Sequence, residues 1–352
     1  MSLPPIGILL SNLGTPEAPR APEVRRYLRQ FLSDPRVIDI PAPVRRMLLE
    51  LVILPRRPKA SAHAYAKVWT DAGSPLMVFS KALRDAVAAA LPEPQWKVVL
   101  GMRYGQPALE GAYDELIRAG CTRIIVMPLY PQYASSSTGS TLEVLYAAAA
   151  RAWNTPSLAV VPPFYEDPRF IDAFAAVARP VLATAQAEHV LMSFHGLPER
   201  HLRKGDASGT HCFATPSCCD VIGPNNATCY RAQCHATARA LATKLGLAPD
   251  GWSLSFQSRL GRTPWIQPYT DEVLPALAKR GIRRVAVMCP AFTADCLETL
   301  EEIGIRAAED WKAVGGEELV LVPSLNATAV WVDAVVAMLR EHAGPEIAAR
   351  SA

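Results

Sequence analysis

The sequence lacks any long hydrophobic run. Its first apolar stretch starts at Ile6 and breaks at Asn12 and Gly14, too short for a secretory signal core or a membrane span, so a cytoplasmic protein is expected. Excess charge of one sign is missing as well: 36 Lys and Arg against 33 Asp and Glu leave a formal +3 over 352 residues. That is too little, and too evenly spread, for a surface that tracks nucleic-acid phosphates; no nucleic-acid partner is expected. There is no repeat of 20 to 50 residues. Low complexity is confined to the alanines at 147–150, an ordinary helix filler. With 50% hydrophobic and 20% charged residues the chain has ample apolar area to bury, which excludes disorder, and its length suits two modest domains.

Apolar runs punctuate helix-patterned stretches at Ile6 to Leu10, Trp96 to Met102, Ile124 to Leu129, Leu158 to Val161, Val190 to Phe194, Trp252 to Phe256, Val285 to Cys289 and Leu319 to Val322. Eight strands alternating with helices predict an α/β fold with parallel sheets covered on both faces. Most runs end in Pro, Gly or Ser, and 31 prolines, well above the usual share of roughly 5%, suit many rigid strand exits. The rhythm breaks at Pro162-Pro163-Phe164-Tyr165-Glu166-Asp167-Pro168. The runs therefore divide into two sets of four, with expected domains at 1–165 and 166–325 and a final helical segment at 326–352 packing back on them. A cleft between the halves is the default site.

Four strand exits carry the chemistry. The run Val190 to Phe194 delivers His195 to Gly196-Leu197-Pro198. Its imidazole can take a proton near neutral pH or bind a borderline metal, and Gly196 leaves room for a flat ligand. After Cys289, a helix expected from about Thr293 would align Asp295, Glu298 and Glu302 on one face, a carboxylate array that a cation or proton would relieve. In the first half, Pro128 to Ser140 holds Tyr130 and Tyr133 before a hydroxyl-rich turn, with Arg103 and Tyr104 at the neighbouring exit. Such a set can stack on a planar ligand and bond its carboxylates; phosphate at the following helix N-terminus is the rival.

Taken together these segments resemble the ferrochelatases, which insert Fe²⁺ into a porphyrin. The resemblance runs nearly end to end: Asn12-Leu13-Gly14-Thr15-Pro16, Gly73-Ser74-Pro75-Leu76, Met102-Arg103-Tyr104, Pro128 to Gly139, Ser193 to Pro198, Phe256-Gln257-Ser258-Arg259, Pro264-Trp265 and Phe292 to Leu300. It implies a chelatase-like fold of two Rossmann-type lobes, each with a four-stranded parallel sheet, and protoporphyrin IX and ferrous iron as substrates. His195 and Glu298 then match the family's metal-handling residues, with Asp295 and Glu302 as an acidic lane for iron or protons. Leu13, Arg103, Tyr104, Tyr130 and Trp265 match the macrocycle site. Cys296 stands where animal members carry a His. Leu13 stands where the branch acting on coproporphyrin tends to have Tyr, which favours protoporphyrin. The rivals are a chelatase for another metal or tetrapyrrole, such as cobalt into a corrinoid precursor or iron into coproporphyrin, and a non-catalytic haem-binding redox sensor.

Five of the eight cysteines, Cys212, Cys218, Cys219, Cys229 and Cys234, crowd into one polar stretch, with an expected insertion at about 207–230 and a turn at Gly223-Pro224-Asn225-Asn226. Four thiolates can hold an iron–sulfur cluster or a structural zinc, and five leave one spare. The resemblance implies a 2Fe–2S cluster: some bacterial members carry one on internal cysteines, whereas animal members use an internal Cys replaced here by Ser135. Val44 to Leu54 is mostly apolar and flanked by Arg45, Arg46, Arg56, Arg57 and Lys59. It suits either a lip in peripheral contact with a membrane or a buried helix with solvated ends.

Overall fold

The computed structural model describes residues 4–91, 93–261 and 263–343. All eight apolar runs are strands. β1 (Ile6–Gly14), β2 (Trp96–Tyr104), β3 (Arg123–Pro128) and β4 (Ser157–Val160) form a parallel sheet in the order β2-β1-β3-β4. β5 (His189–His195), β6 (Trp252–Gln257), β7 (Arg284–Met288) and β8 (Glu318–Leu321) repeat that order as β6-β5-β7-β8. Every pairing is parallel. Helices cover both faces, which is why the strands read as unbroken apolar runs rather than alternating ones: Ile8, Leu9 and Leu10 of β1 and Leu191, Met192 and Phe194 of β5 have no exposed surface.

The described residues form two compact units. One comprises the chain up to Tyr130, Ser135–Pro162 and the chain from Asn326; the other comprises Pro131–Ala134 and Pro163–Leu325. The core of the first joins Leu9, Ile124 and Val126 to Leu109, Tyr113 and Leu116. That of the second joins Leu191, Val285 and Val287 to Leu277, Ile303 and Trp311. The final helix, Ala329–His342, belongs to the first unit and packs on the helix Pro75–Ala90. Of the expected terminal segment 326–352, residues 344–352 lie outside those described.

In each unit the central strand has its sequence successor on one side and the third strand on the other. This is a topological switch point, where a crevice opens at the carboxyl ends of the strands. β1 delivers Asn12, Leu13 and Gly14 to one such point, and β5 delivers His195 to the other. Gly14 has φ +113°, and a Cβ there would collide with the Tyr104 carbonyl, so only glycine lets β1 and β2 close up at this end.

Of two local expectations, the first fails. The helix after β7 starts at Leu297 rather than Thr293, and Glu298–Ala307 is wound as a π-helix. Its start is delayed because the Asp295 carboxylate accepts from the Thr299 hydroxyl and the Ser324 N–H, while the Cys296 N–H donates to Thr299 Oγ1. Asp295 therefore precedes the helix and does not share a helical face with Glu298 and Glu302. The second concerns Val44 to Leu54, which is neither one buried helix nor uniformly exposed. It runs as the helix Ala42–Leu48, the π-turn Leu49–Ile53 and the start of the helix Leu54–Val68. Leu49 and Leu54 are buried, while Val44, Met47, Leu51 and Val52 face outward.

Candidate active site

His195 ends β5, half-buried, and its position is fixed from four directions. Its Nδ1 lies 2.6 Å from the Gly196 carbonyl oxygen. A carbonyl only accepts, so Nδ1 carries the hydrogen and the neutral ring keeps its lone pair on Nε2, the tautomer a base or metal ligand needs. The His195 carbonyl accepts from the Tyr230 hydroxyl at 2.9 Å. The ring lies between Trp265, with centroids 6.5 Å apart, and Phe292, at 6.3 Å. Trp265 is itself anchored by its indole N–H on the Leu260 carbonyl, and its segment is tied to the chain after His195 by Glu199 N–H to Pro264 and Ile266 N–H to Leu197. A Cβ on Gly196 would sit 2.8 Å from the Gln257 carbonyl oxygen and 3.2 Å from the Trp265 ring, so this glycine is what admits the tryptophan.

The carboxylates come from the π-helix. Glu302 accepts from the Ser258 N–H at 2.8 Å and the Ser258 hydroxyl at 2.5 Å, with Arg306 3.8 Å away. Glu301 is buried and also faces Arg306. Cys296 is buried against Glu298; burial first, then the charge and hydrogen bonding of Glu298, push its thiol well above the usual range. His195, Trp265, Glu298 and Glu302 thus belong to one unit and one strand-end region. Sequence reasoning missed Gln257, Ser258, Tyr230 and Phe292. Gln257, Ser258 and Phe292 stood within family-like motifs, but nothing in the sequence marked what they touch.

The first unit presents a different set at its switch point. Arg103 donates to the Asp34 carboxylate at 2.7 Å and to Ser140 Oγ at 2.6 Å; Tyr104 and Ser140 donate to the same Asp34 oxygen at 2.8 and 2.5 Å. Burial alone would raise the Asp34 carboxyl. The bonds from Ser140, the Arg36 N–H and Tyr104, with the Arg103 charge, outweigh it and hold the group below the usual carboxylate range. Tyr104 has no exposed surface, so it orients Asp34 and has no face to offer a ligand. The Tyr130 hydroxyl is buried beside Thr141 and Ser11, and burial raises it above the ordinary phenol range, while the residue as a whole is half-buried. Leu13 is half-buried, with its N–H on the Asn12 side chain.

Cys212, Cys218, Cys219 and Cys229 sit in irregular backbone before the helix Tyr230–Leu245, and Cys234 lies within that helix. Asp206 organises the entry by accepting from the N–H groups of Ser208, His211 and Cys212 and from the Ser208 hydroxyl, which pulls its carboxyl down to about 2. Asn226 closes the expected turn by donating to the Cys218 and Val221 carbonyls and accepting from the Gly223 N–H. Cys218 and Cys219 have sulfurs 3.6 Å apart, Cys219 bonds Cys229, and burial plus the neighbouring thiols push Cys212 up to about 11. Cys234 has no exposed surface and bonds the Tyr230 hydroxyl. All eight cysteines are free thiols, and among the described residues no three His, Cys, Asp or Glu side chains are already arranged as a metal cage.

This fold is a chelatase fold. The sirohydrochlorin chelatase SirB from Bacillus subtilis subspecies spizizenii, in complex with cobalt, superposes with a TM-score of 0.54 at 12% identity over 97% of both chains. SirB from Bacillus subtilis with Fe³⁺ gives 0.52 at 14% identity over 98% of both. Sequence comparison is closer. The Ferrochelatase family model matches residues 5–343. The curated ferrochelatases of Coxiella burnetii (strain CbuG_Q212) and Pseudomonas fluorescens (strain Pf0-1) are 49% and 50% identical over 337 and 336 residues, covering 96% and 94% of this chain and 93% and 96% of theirs. The chain belongs to the ferrochelatase family and is an enzyme of the lyase class.

Proposed function

We propose that this enzyme inserts Fe²⁺ into protoporphyrin IX to form protohaem and two protons. One observation carries the assignment of roles. The Gly196 carbonyl commits Nδ1 of His195 and leaves Nε2 as the acceptor, on a strand end shared with the carboxylates of the π-helix. Insertion must strip two N–H protons from the ring and deliver a desolvated cation. His195 takes the proton and contacts the metal. Glu298, with Glu302 and Asp295, forms the acidic lane. Trp265, Leu13 and the Tyr130 ring hold the macrocycle, and Arg103, backed by Tyr104, faces its propionates. Anaerobic incubation of the purified protein with Fe²⁺ and protoporphyrin IX is expected to yield the absorption of protohaem. No product with protoporphyrin beside good turnover of coproporphyrin would overturn the substrate assignment that rests on Leu13.

The cysteine segment fits a 2Fe–2S cluster held by four of Cys212, Cys218, Cys219, Cys229 and Cys234. Supporting this are the interacting sulfurs and the Arg231 guanidinium, whose charge acts on Cys218, Cys219 and Cys234 and would offset that of the thiolates. When bound, such a group supplies a redox-sensitive brace and no open site for substrate iron. Protein purified without air is expected to be coloured and to contain about two iron and two acid-labile sulfide per chain; a colourless zinc protein is the contrary result.

No helix among the described residues is long and apolar enough to cross a membrane. Met47 and Leu51, 57% and 71% exposed, with Val44 and Val52, form an apolar rim beside Arg46 and Arg56. We read this rim as a peripheral contact through which a cytoplasmic enzyme meets the inner leaflet. Replacing Met47, Leu51 and Val52 by Ser should abolish flotation with anionic liposomes and leave turnover of solubilised porphyrin intact; unchanged flotation would remove the lip.

A further inference from the structure

Gln257 and Ser258 are the last residue of β6 and the first beyond it, and they touch both the strand that ends in His195 and the π-helix that carries Glu298 and Glu302. The backbone of Gln257 pairs with His195 across the sheet, and its carbonyl accepts from the Gly196 N–H at 2.8 Å. Its side chain, 3% exposed, is bonded on both sides of the amide. Oε1 accepts from the Ser193 hydroxyl at 2.7 Å and lies 3.7 Å from the Cys289 thiol, while Nε2 donates to the Glu298 carbonyl at 2.9 Å and reaches Glu302 at 3.4 Å. Ser193 lies two residues before His195, so it shares that residue's face of the strand. The orientation of the amide is thereby dictated: donors converge on its oxygen and acceptors on its nitrogen. No other residue type of this length offers both.

Ser258 continues the contact at a conformational cost. Its φ is +66°, in the left-handed region that glycine adopts freely and a serine does not. The residue spends that strain on two bonds to Glu302, one from its N–H and one from its hydroxyl. Nothing in the turn itself demands a side chain here. A glycine would relieve the backbone and keep the N–H bond, losing only the hydroxyl. Strain retained next to a carboxylate of the π-helix points to a functional use rather than to a contribution to folding.

We infer that Gln257 and Ser258 are positioning residues that fix the first turn of the π-helix, and with it Glu298 and Glu302, relative to the imidazole of His195. The inference rests on the iron-insertion reading above. A pair of groups that must pass a cation between them loses its rate when their separation drifts by an ångström, even if each group is intact.

The experiment compares wild type, Ser258→Gly, Ser258→Ala, Gln257→Met and Gln257→Glu in anaerobic steady-state insertion, with KM measured separately for Fe²⁺ and for protoporphyrin, and with thermal melting of each protein. Ser258→Gly is expected to melt at or above the wild-type temperature, yet to lose about tenfold in kcat/KM for iron, the loss of one charge-assisted hydrogen bond, with the KM for porphyrin within twofold. Ser258→Ala should show the same kinetic loss without the gain in stability. Gln257→Met, which keeps volume but neither donor nor acceptor, should lose more, about 30- to 100-fold. Gln257→Glu should be the worst, because it turns an oxygen toward Glu302 and the Glu298 carbonyl. Ser258→Gly with wild-type iron kinetics would overturn the inference, as would Gln257→Glu with wild-type activity, or parallel losses in both KM values tracking a fall in melting temperature. Absence of insertion by the wild-type protein would instead overturn the proposed function, so the two failures are distinguishable.

Discussion

Replacing His195 by alanine is expected to lower kcat for iron insertion by about 10²- to 10⁴-fold, the range for losing a positioned general base, while porphyrin binding changes little. The geometry explains why the loss falls on kcat. Nδ1 is committed to the Gly196 carbonyl, so Nε2 is the one nitrogen able to act. The fold should survive the substitution. The strand is held by backbone pairing to β6 and β7, by Gly196 N–H to Gln257 and by Tyr230 on the residue-195 carbonyl, none of which uses the imidazole. Porphyrin fluorescence quenching should give a Kd within a few-fold of wild type, and stopped-flow mixing with Fe²⁺ should show the loss in the insertion step. A His195→Ala protein that inserts iron at near-normal rate would remove the imidazole from the chemistry. His195→Gln is a stricter comparison, because an amide can bond the Gly196 carbonyl yet cannot accept a proton at neutral pH.

How much of this was legible in the sequence depends on whether the signal was local. The strands were legible because both faces of each sheet are covered: Ile8, Leu9 and Leu10 can be apolar at successive positions only if neither side meets water. Their division into two sets of four follows from the same fact plus the proline-rich break at 162–168. The histidine was legible because a strand exit is set by its own punctuation. The winding of the carboxylate helix was not. A π-helix has no compositional signature distinct from an α-helix, and its start here depends on a side-chain cap from Asp295 to Thr299 and on Ser324, 29 residues away. Gln257 was visible within a motif but its task was not, because its partners come from three other segments. Asp34 had no signal at all, being one acidic residue in a helix terminus whose partners lie about 70 and 106 positions later. The same limit explains Val44 to Leu54, where only the fold decides that Leu49 is buried and Leu51 is not.

Asp34 supports the other large prediction, this time on stability. Asp34→Asn is expected to destabilise the protein at pH 7 by about 2–3 kcal/mol, somewhat less than the ~3–5 kcal/mol for removing one partner of a fully buried pair, because Arg103 keeps some contact with water and the amide oxygen can still accept. The effect should depend on pH with a definite sign. The Asp34 carboxyl titrates lower in the folded chain than in the unfolded one. Its stabilisation is therefore complete above the ordinary aspartate range near pH ~4 and is lost as pH falls through the depressed folded value. Urea unfolding from pH 7 to pH 3 should accordingly show the wild-type advantage over Asp34→Asn constant down to about pH 5 and shrinking below pH ~4. An advantage that does not change with pH would mean that packing, not charge, is what Asp34 contributes. Removing the cation as well, in Asp34→Asn with Arg103→Leu, should cost less than the sum of the two single changes, since the second leaves no uncompensated guanidinium in the network. Arg103 is also the residue proposed to face the propionates, so the same double change should weaken porphyrin binding, a loss that Asp34→Asn alone, which only frees the guanidinium, should not produce.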